Sequence, residues 1–149
     1  LGANVTWYFS ARMGYARNTE VAPGGAASKD ERYGLPLIKH FALGGAGSLR
    51  GYKEQELNAY KQAIQGTLTY VNYRTQLDLP FAGPMRFGPF IDAANLLVDD
   101  FSPIDLKFGA GVGFHYQSPV GPVNFDWGLK IPPQKGDDLY QFYFSIGII

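Results

Sequence analysis

The side chains that most often carry chemistry are few in this sequence. It has no cysteine, and its two histidines, His40 and His115, lie too far apart in sequence to predict a metal-ligand cluster. Ser48 follows Gly-Ala-Gly, which is not the nucleophile turn of serine hydrolases, and there is no phosphate-binding loop. We therefore expect no catalytic residue, no metal and no cofactor. The remaining candidate is Arg50, in the glycine-rich segment 41–52, because a guanidinium stays charged and can bind a carboxylate through two hydrogen bonds.

An alternation of apolar residues with polar residues or glycine predicts the elements that position this segment. Successive side chains of a strand point to opposite faces, so a period of two indicates a strand with two different faces. The pattern predicts about six strands, near residues 5–15, 66–79, 85–97, 106–116, 123–131 and 140–148. Aromatic and aliphatic residues dominate one face, and glycine and polar residues dominate the other. Such faces are typical of a transmembrane β-barrel, with lipid outside and water inside.

The connections between the predicted strands alternate in length. Pro80, Gly83 and Pro84 predict that the second strand ends at Leu79 in a short turn. A second short turn is predicted at 117–121. Longer connections are predicted at 16–62, 98–104 and 132–138. Outer-membrane barrels direct their short turns to the periplasm and their long loops to the outside, so the alternation predicts a periplasmic C-terminus.

Length and composition limit the class of protein. The chain has 149 residues, with 13 basic and 13 acidic residues, and this balance argues against a nucleic-acid partner. No stretch approaches the roughly 20 apolar residues of a membrane-spanning helix. Strands span lipid only as a closed barrel, since every backbone group there needs a partner, and the smallest such barrels have about eight strands. We therefore expect residues 1–149 to be an all-β fragment, the C-terminal part of a larger antiparallel transmembrane barrel, with any export signal upstream of Leu1.

Three motifs, in order along the chain, resemble the BamA/TamA superfamily of outer-membrane assembly and secretion barrels. The first is a glycine pair followed by an aliphatic residue, arginine, glycine and an aromatic residue. Its members here are Gly44, Gly45, Leu49, Arg50, Gly51 and Tyr52. The second is an aromatic residue, any residue and aspartate, matched by Phe90 and Asp92. The third is Gly-x-Gly-Val-Gly at 109–113, followed by Ser-Pro-Val-Gly-Pro at 118–122. The ordered context makes the match specific, and it implies a complete barrel of about 16 strands.

The resemblance implies a site inside the barrel. In this family the long connection that carries the arginine motif, here about residues 16–62, folds back from the outside into the lumen and meets the aspartate on the inner wall. The implied lumen partners of the loop are therefore Phe90 and Asp92, and Asp92 is the one that pairs with Arg50. The chemistry is compatible, because a guanidinium and a carboxylate can pair bidentately. Gly51 would let the backbone approach the wall closely, and Tyr52 would pack through its ring while its hydroxyl stays hydrogen-bonded.

The last predicted strand is the second candidate site. In proteins of this family it meets the first strand of the barrel at a weak seam that is proposed to open sideways. An unpaired strand edge can template a strand of another chain. The seam candidates are Tyr140, Phe142, Phe144, Ile146 and Gly147. Gly147 is included because a glycine weakens pairing and permits a kink.

The function implied by the resemblance is that of an insertion factor for β-barrel proteins in the bacterial outer membrane, and not that of an enzyme. The implied partners are outer-membrane lipids, client β-barrel or secreted proteins, and periplasmic or lipoprotein accessory subunits. A polypeptide secretion pore is an alternative, since it shares the arginine loop. Two others are the barrel anchor of a lipase-like enzyme and a soluble ligand-binding barrel, the latter disfavoured by outward-facing aromatic residues.

Overall fold

The computed structural model describes residues 4–19, 35–61, 64, 66–99, 105–119, 121–133 and 138–146. These ranges contain eight strands. They are β1 (Thr6–Arg17), β2 (Ala42–Leu43), β3 (Leu57–Asn58), β4 (Thr67–Ala82), β5 (Met85–Val98), β6 (Lys107–Ser118), β7 (Gly121–Ile131) and β8 (Tyr140–Ile146). A 3-10 helix at Leu37–Lys39 precedes β2. Over the part of the chain that is described, no helix has the length and apolar character needed to cross a membrane.

The six long strands form one sheet in the order β1-β4-β5-β6-β7-β8, and every neighbouring pair is antiparallel. Strands β1 and β8 are its edges within the described ranges. The short strands β2 and β3 pair only with each other and contact β5. This architecture confirms the predicted all-β fragment of about six antiparallel strands. It also shows that the long connection predicted at 16–62 contains a small β-ribbon, formed by β2 and β3.

The two faces of the sheet differ as the alternation predicts. One face, here called the apolar face, exposes large side chains along its whole width. Examples are Trp7, Phe9, Met13, Ile91, Trp127, Phe142 and Phe144. The other, here called the polar face, carries buried polar and charged side chains. Examples are Asn72, Asp78, Asp92, Asn124 and Asp126. An exposed apolar surface of this extent requires an apolar neighbour, whereas the polar face is covered by the chain itself.

The second long strand extends further than predicted. Proline and glycine predict an end at Leu79, but β4 continues to Ala82, with a register shift against β5 between Pro80 and Ala82. The prediction of the strand end is wrong because Pro80 lies beyond the end of β1, which pairs last with Asp78. A proline is tolerated where a strand has lost its neighbour on one side, since its missing N–H then breaks no ladder there.

Two clusters of buried apolar residues lie between the polar face and the chain that crosses it. One cluster consists of Leu43, Leu49, Tyr52 and Ala94. A second consists of Ala59, Ile64 and Leu68. Strands β4 and β5 contribute Leu68 and Ala94, and the connection between β1 and β4 contributes the rest. The long connection therefore provides the core that the sheet lacks by itself.

Candidate functional site

Residues 44–52, here called the arginine loop, form a compact turn. The Gly45 amide donates to the Tyr52 carbonyl at 3.0 Å and joins the two ends. Ser48 stabilises the turn from inside, since its hydroxyl accepts from the Gly44 amide at 2.8 Å and donates to the Gly44 carbonyl at 3.0 Å. Gly44 has a φ of 121°, which side chains with a Cβ rarely adopt. Ser48 thus has a structural role in this turn.

The turn presents Arg50 to Asp92 of β5. The Nε atom of Arg50 donates to Oδ2 at 2.8 Å, and Nη2 donates to Oδ1 at 2.9 Å. The Arg50 backbone amide also donates to Oδ2, at 3.0 Å. Both side chains are buried, with 2% and 0% exposure. The structure therefore brings together the two residues that the resemblance implies as partners, in bidentate geometry with a third hydrogen bond.

Other side chains complete the surroundings of the Arg50 guanidinium. Phe90 lies under it, with 3.5 Å between Cζ and the ring centroid, a geometry that favours a cation–π interaction. The Nη1 atom donates to Gln76 at 2.6 Å and lies 3.4 Å from an Asp126 carboxylate oxygen. The motif predicts Phe90 beside the pair, whereas nothing in the sequence predicts Gln76. A second guanidinium, that of Arg74, lies 3.6 Å from Asp92.

Glycines of β6 and β7 let the loop backbone lie directly on the sheet. A Cβ added at Gly109 would collide with the Arg50 carbonyl, and one at Gly128 would lie 2.6 Å from the Gly51 nitrogen. Gly51 itself has a φ of 100°, and its own Cβ would lie 2.6 Å from the Leu129 carbonyl. Approaches under 3 Å cannot be accommodated without movement of the backbone. The close approach at Gly109 therefore gives the first glycine of the third motif a physical reason, and Gly128, which lies outside that motif, completes the same surface.

Tyr52 ends the arginine loop and is almost fully buried in the first apolar cluster. Lys130 of β7 lies over its ring, with the Nζ atom 4.9 Å from the centroid. The same ammonium donates to Glu56 at 2.5 Å. Tyr52 therefore fastens the loop by packing, while Lys130 and Glu56 form an ion pair beside it.

Alternation along β8 places Tyr143 on the polar face, but nothing in the sequence predicts that it contacts the arginine loop. Its hydroxyl accepts a hydrogen bond from the Gly51 amide at 2.9 Å and donates one to the Tyr52 carbonyl at 2.6 Å. It thus holds the two residues that follow Arg50. The sequence carries no signal for this role, since a tyrosine on the polar face is not unusual; in the sheet Tyr143 lies opposite Asp126.

A second polar cluster extends toward the short turns. The His115 Nδ1 atom lies 3.2 Å from an Asp78 carboxylate oxygen, and Nε2 lies 3.4 Å from one of Asp126. Arg86 approaches Asp78 at 3.8 Å. Since Asp126 also contacts Arg50, the ion pairs form a continuous network across the polar face. The charged side chains of the polar face are therefore paired with one another.

The seam candidates lie apart from the arginine loop. Tyr140, Phe142, Phe144 and Ile146 belong to β8, are exposed, and point to the apolar face. Strand β8 pairs with β7, and its other edge has no partner among the described strands. Gly147 lies outside the described residues.

An exposed ion pair joins the chain after the arginine loop to the approach to β8. Lys53 and Asp138 lie 2.6 Å apart. The carboxylate raises the pKa of Lys53 above its ordinary value, and the ammonium lowers the pKa of Asp138. Both side chains are accessible to solvent, so salt will screen this attraction.

Known proteins and protein families include relatives of this chain. The Omp85 superfamily domain matches residues 2–149. The outer membrane protein assembly factor BamA of Neisseria meningitidis serogroup B is 23% identical over 181 residues, which cover 97% of this chain and 23% of that protein. The chloroplastic outer envelope protein 80 of Arabidopsis thaliana is 23% identical over 118 residues, covering 72% of this chain and 14% of that protein.

A solved structure has the same fold. The crystal structure of BamA from Haemophilus ducreyi lacking POTRA domains 1–3 matches with a TM-score of 0.56 at 21% identity, over 93% of this chain and 30% of that one. This chain spans less than a quarter of the length of the two curated relatives. The match to the superfamily domain covers nearly the whole chain and confirms the resemblance seen in its motifs, and the chain therefore belongs to the Omp85 superfamily.

Proposed function

We propose that this chain is the C-terminal part of an outer-membrane β-barrel that assists the insertion of other β-barrel proteins. The observation that carries the proposal is the docking of the arginine loop on the polar face, through the buried Arg50–Asp92 pair. A loop held by a buried, multiply hydrogen-bonded ion pair has a defined docked state, and leaving that state breaks the whole set of bonds together. The family relationship and the name of the Neisseria relative support the same function.

In this proposal the polar face lines the lumen and the apolar face meets lipid. The exposed aromatic and aliphatic side chains suit a lipid neighbour, and the charged network of the polar face suits water. The arginine loop then lies within the lumen, and the connection between β1 and β4 enters from the outside. The short connections between β4 and β5 and between β6 and β7 face the periplasm, which gives a periplasmic C-terminus.

The proposed route for a client strand is the free edge of β8. Its backbone groups have no partner among the described strands, so they can accept a strand from a client protein. Tyr140, Phe142, Phe144 and Ile146 would present an apolar surface to lipid at this seam. The partners are accordingly outer-membrane lipids, client barrel proteins and accessory subunits, and no step of this mechanism needs a catalytic residue.

The test is client folding by the full-length protein in vesicles of bacterial phospholipid. An unfolded β-barrel client is added, and its folding is followed by the appearance of protease resistance. We expect the unmodified protein to accelerate folding, and Arg50→Ala to lose most of the acceleration. Arg17→Ala is the matched control, because Arg17 is exposed at the end of β1 and outside the arginine loop.

Two results would overturn the proposal. One is the absence of any acceleration by a protein that is correctly inserted in the vesicles. The other is transfer of an unfolded polypeptide across the vesicle membrane without folding of barrel clients, which would identify a secretion pore.

A further inference from the structure

We infer that Tyr143 is a positioning residue that couples the arginine loop to β8, so that movement of β8 away from the sheet releases the loop. Its significance for client insertion rests on the function proposed above. The coupling itself rests on the hydrogen bonds and strand order in the structure.

The first step of the argument is the pair of hydrogen bonds made by a single phenol. The Tyr143 hydroxyl accepts from the Gly51 amide at 2.9 Å and donates to the Tyr52 carbonyl at 2.6 Å. These two groups belong to consecutive residues, directly after Arg50. One oxygen atom on β8 therefore fixes the position of the chain that leaves the buried ion pair.

The second step is the distance that this side chain has to span. The loop backbone lies on Gly109 of β6 and Gly128 of β7, where side chains are absent. Strand β8 is one strand further along the sheet, so a residue on it reaches the loop only with a long side chain. A tyrosine on the polar face meets this need. Its neighbours on the same face, Gln141 and Ser145, have no ring to extend as far.

The third step is the position of β8 at the edge of the sheet. It pairs with β7 over seven residue pairs, from Val123↔Ile146 to Leu129↔Tyr140. Loss of part of this pairing displaces Tyr143, which lies opposite Asp126 in the ladder. The Gly51 amide then loses its acceptor, and the docked loop is destabilised. By linkage, a docked loop stabilises the pairing of β8 to the same extent.

Tyr143→Phe isolates this effect, since it keeps the ring and removes the hydroxyl. The Tyr52 carbonyl still accepts from the Gly45 amide at 3.0 Å, so the main loss falls on Gly51. Tyr73→Phe is the matched control. It removes a tyrosine hydroxyl from β4, on the apolar face, where the side chain is partly exposed.

The first measurement is amide hydrogen exchange of residues 44–52 in the full-length protein in lipid vesicles, without any client. Removing one net hydrogen bond should increase the exchange rate about 2- to 13-fold in Tyr143→Phe and leave it unchanged in Tyr73→Phe. Equal rates in Tyr143→Phe and the unmodified protein would overturn the inference. Because no client is present, this result is independent of whether the protein inserts clients.

The second measurement tests the coupling to β8. This sequence has no cysteine, and Trp127 and Phe142 are paired neighbours on β7 and β8, on the apolar face. A disulfide between Trp127→Cys and Phe142→Cys holds the two strands together. We expect its oxidation to slow exchange in residues 44–52 when Tyr143 is present, and to have no effect in Tyr143→Phe. An equal response with and without the hydroxyl would show that Tyr143 fixes the loop locally and does not transmit movement of β8.

Discussion

Asp92→Ala is expected to lower the free energy of unfolding by about 3 kcal/mol, because it leaves the buried Arg50 guanidinium without its main partner. Asp92 is fully buried and accepts three hydrogen bonds from Arg50. This decrease in the free energy of unfolding lies at the lower end of the range for breaking a buried ion pair, because Arg50 keeps other partners. Gln76 still accepts from Nη1 at 2.6 Å, and Asp126 lies 3.4 Å from the same atom.

Arg50→Ala is expected to cost more, about 5 kcal/mol, because it leaves the Asp92 carboxylate buried. The cation that remains beside it is Arg74, at 3.6 Å. The substitution also removes the contact with the Phe90 ring. In the double variant both charged side chains are absent, so no buried charge is left without a partner. Its loss should therefore stay near 5 kcal/mol, which corresponds to a coupling energy of about 3 kcal/mol.

The assay is urea unfolding of the full-length protein in lipid vesicles, followed by tryptophan fluorescence, for the two single variants and the double variant. The Lys53–Asp138 pair is the control cycle, since it has a similar separation of 2.6 Å but both members are exposed. No measurable coupling is expected there. Strict additivity of Arg50→Ala and Asp92→Ala would refute the reasoning, because it would mean that the two side chains do not depend on each other.

Three further predictions concern the same region. Gly128→Ala should push the arginine loop off the sheet and make it sensitive to added protease, whereas Gly47→Ala should not, because a Cβ there meets nothing within 4 Å. Phe90→Leu should lower the free energy of unfolding in urea by about 0.5–2 kcal/mol through loss of the ring under the guanidinium; a variant as stable as the parent would contradict this. The pKa of Lys53 is raised and that of Asp138 is lowered, so both groups are charged and attract each other at pH values between the two. The attraction is lost when Asp138 is protonated as pH falls through its pKa, or when Lys53 is deprotonated as pH rises through its pKa. In an NMR titration, Lys53→Met should return the pKa of Asp138 toward 3.8, and an unchanged titration would exclude the ion pair in solution.

The strands and their faces could be predicted because alternation is a local property of the sequence. Trp7 and Phe142, at opposite edges of the sheet, both expose their rings on the apolar face, as the period of two requires. The end of β4 could not be predicted in the same way. Whether Pro80 breaks a strand depends on the presence of a neighbour on one side, and this neighbour, β1, comes from a distant part of the chain.

The partners of Arg50 were predictable only in part. Asp92 followed from a motif, and its place on the polar face followed from alternation. Gln76 and Tyr143 carry no local signal, because a glutamine or a tyrosine on the polar face is unremarkable in sequence. Their contacts depend on how far the loop reaches across the sheet, and this distance is set by the absence of side chains at Gly109 and Gly128.

Because the first apolar cluster lies between the arginine loop and the sheet, the order of folding steps is constrained. The β4–β5 hairpin needs only a short turn and can form early. Docking of the loop onto the hairpin joins Arg50 to Asp92, which are 42 residues apart in sequence. This step therefore carries the loss of conformational entropy that comes with closing a long stretch of chain, and we expect it to be slower. Leu49 and Tyr52 become buried only at that step. A sheet that forms before the loop docks would therefore be a folding intermediate whose polar face is not yet covered. Docking of the arginine loop would convert this intermediate into the final state.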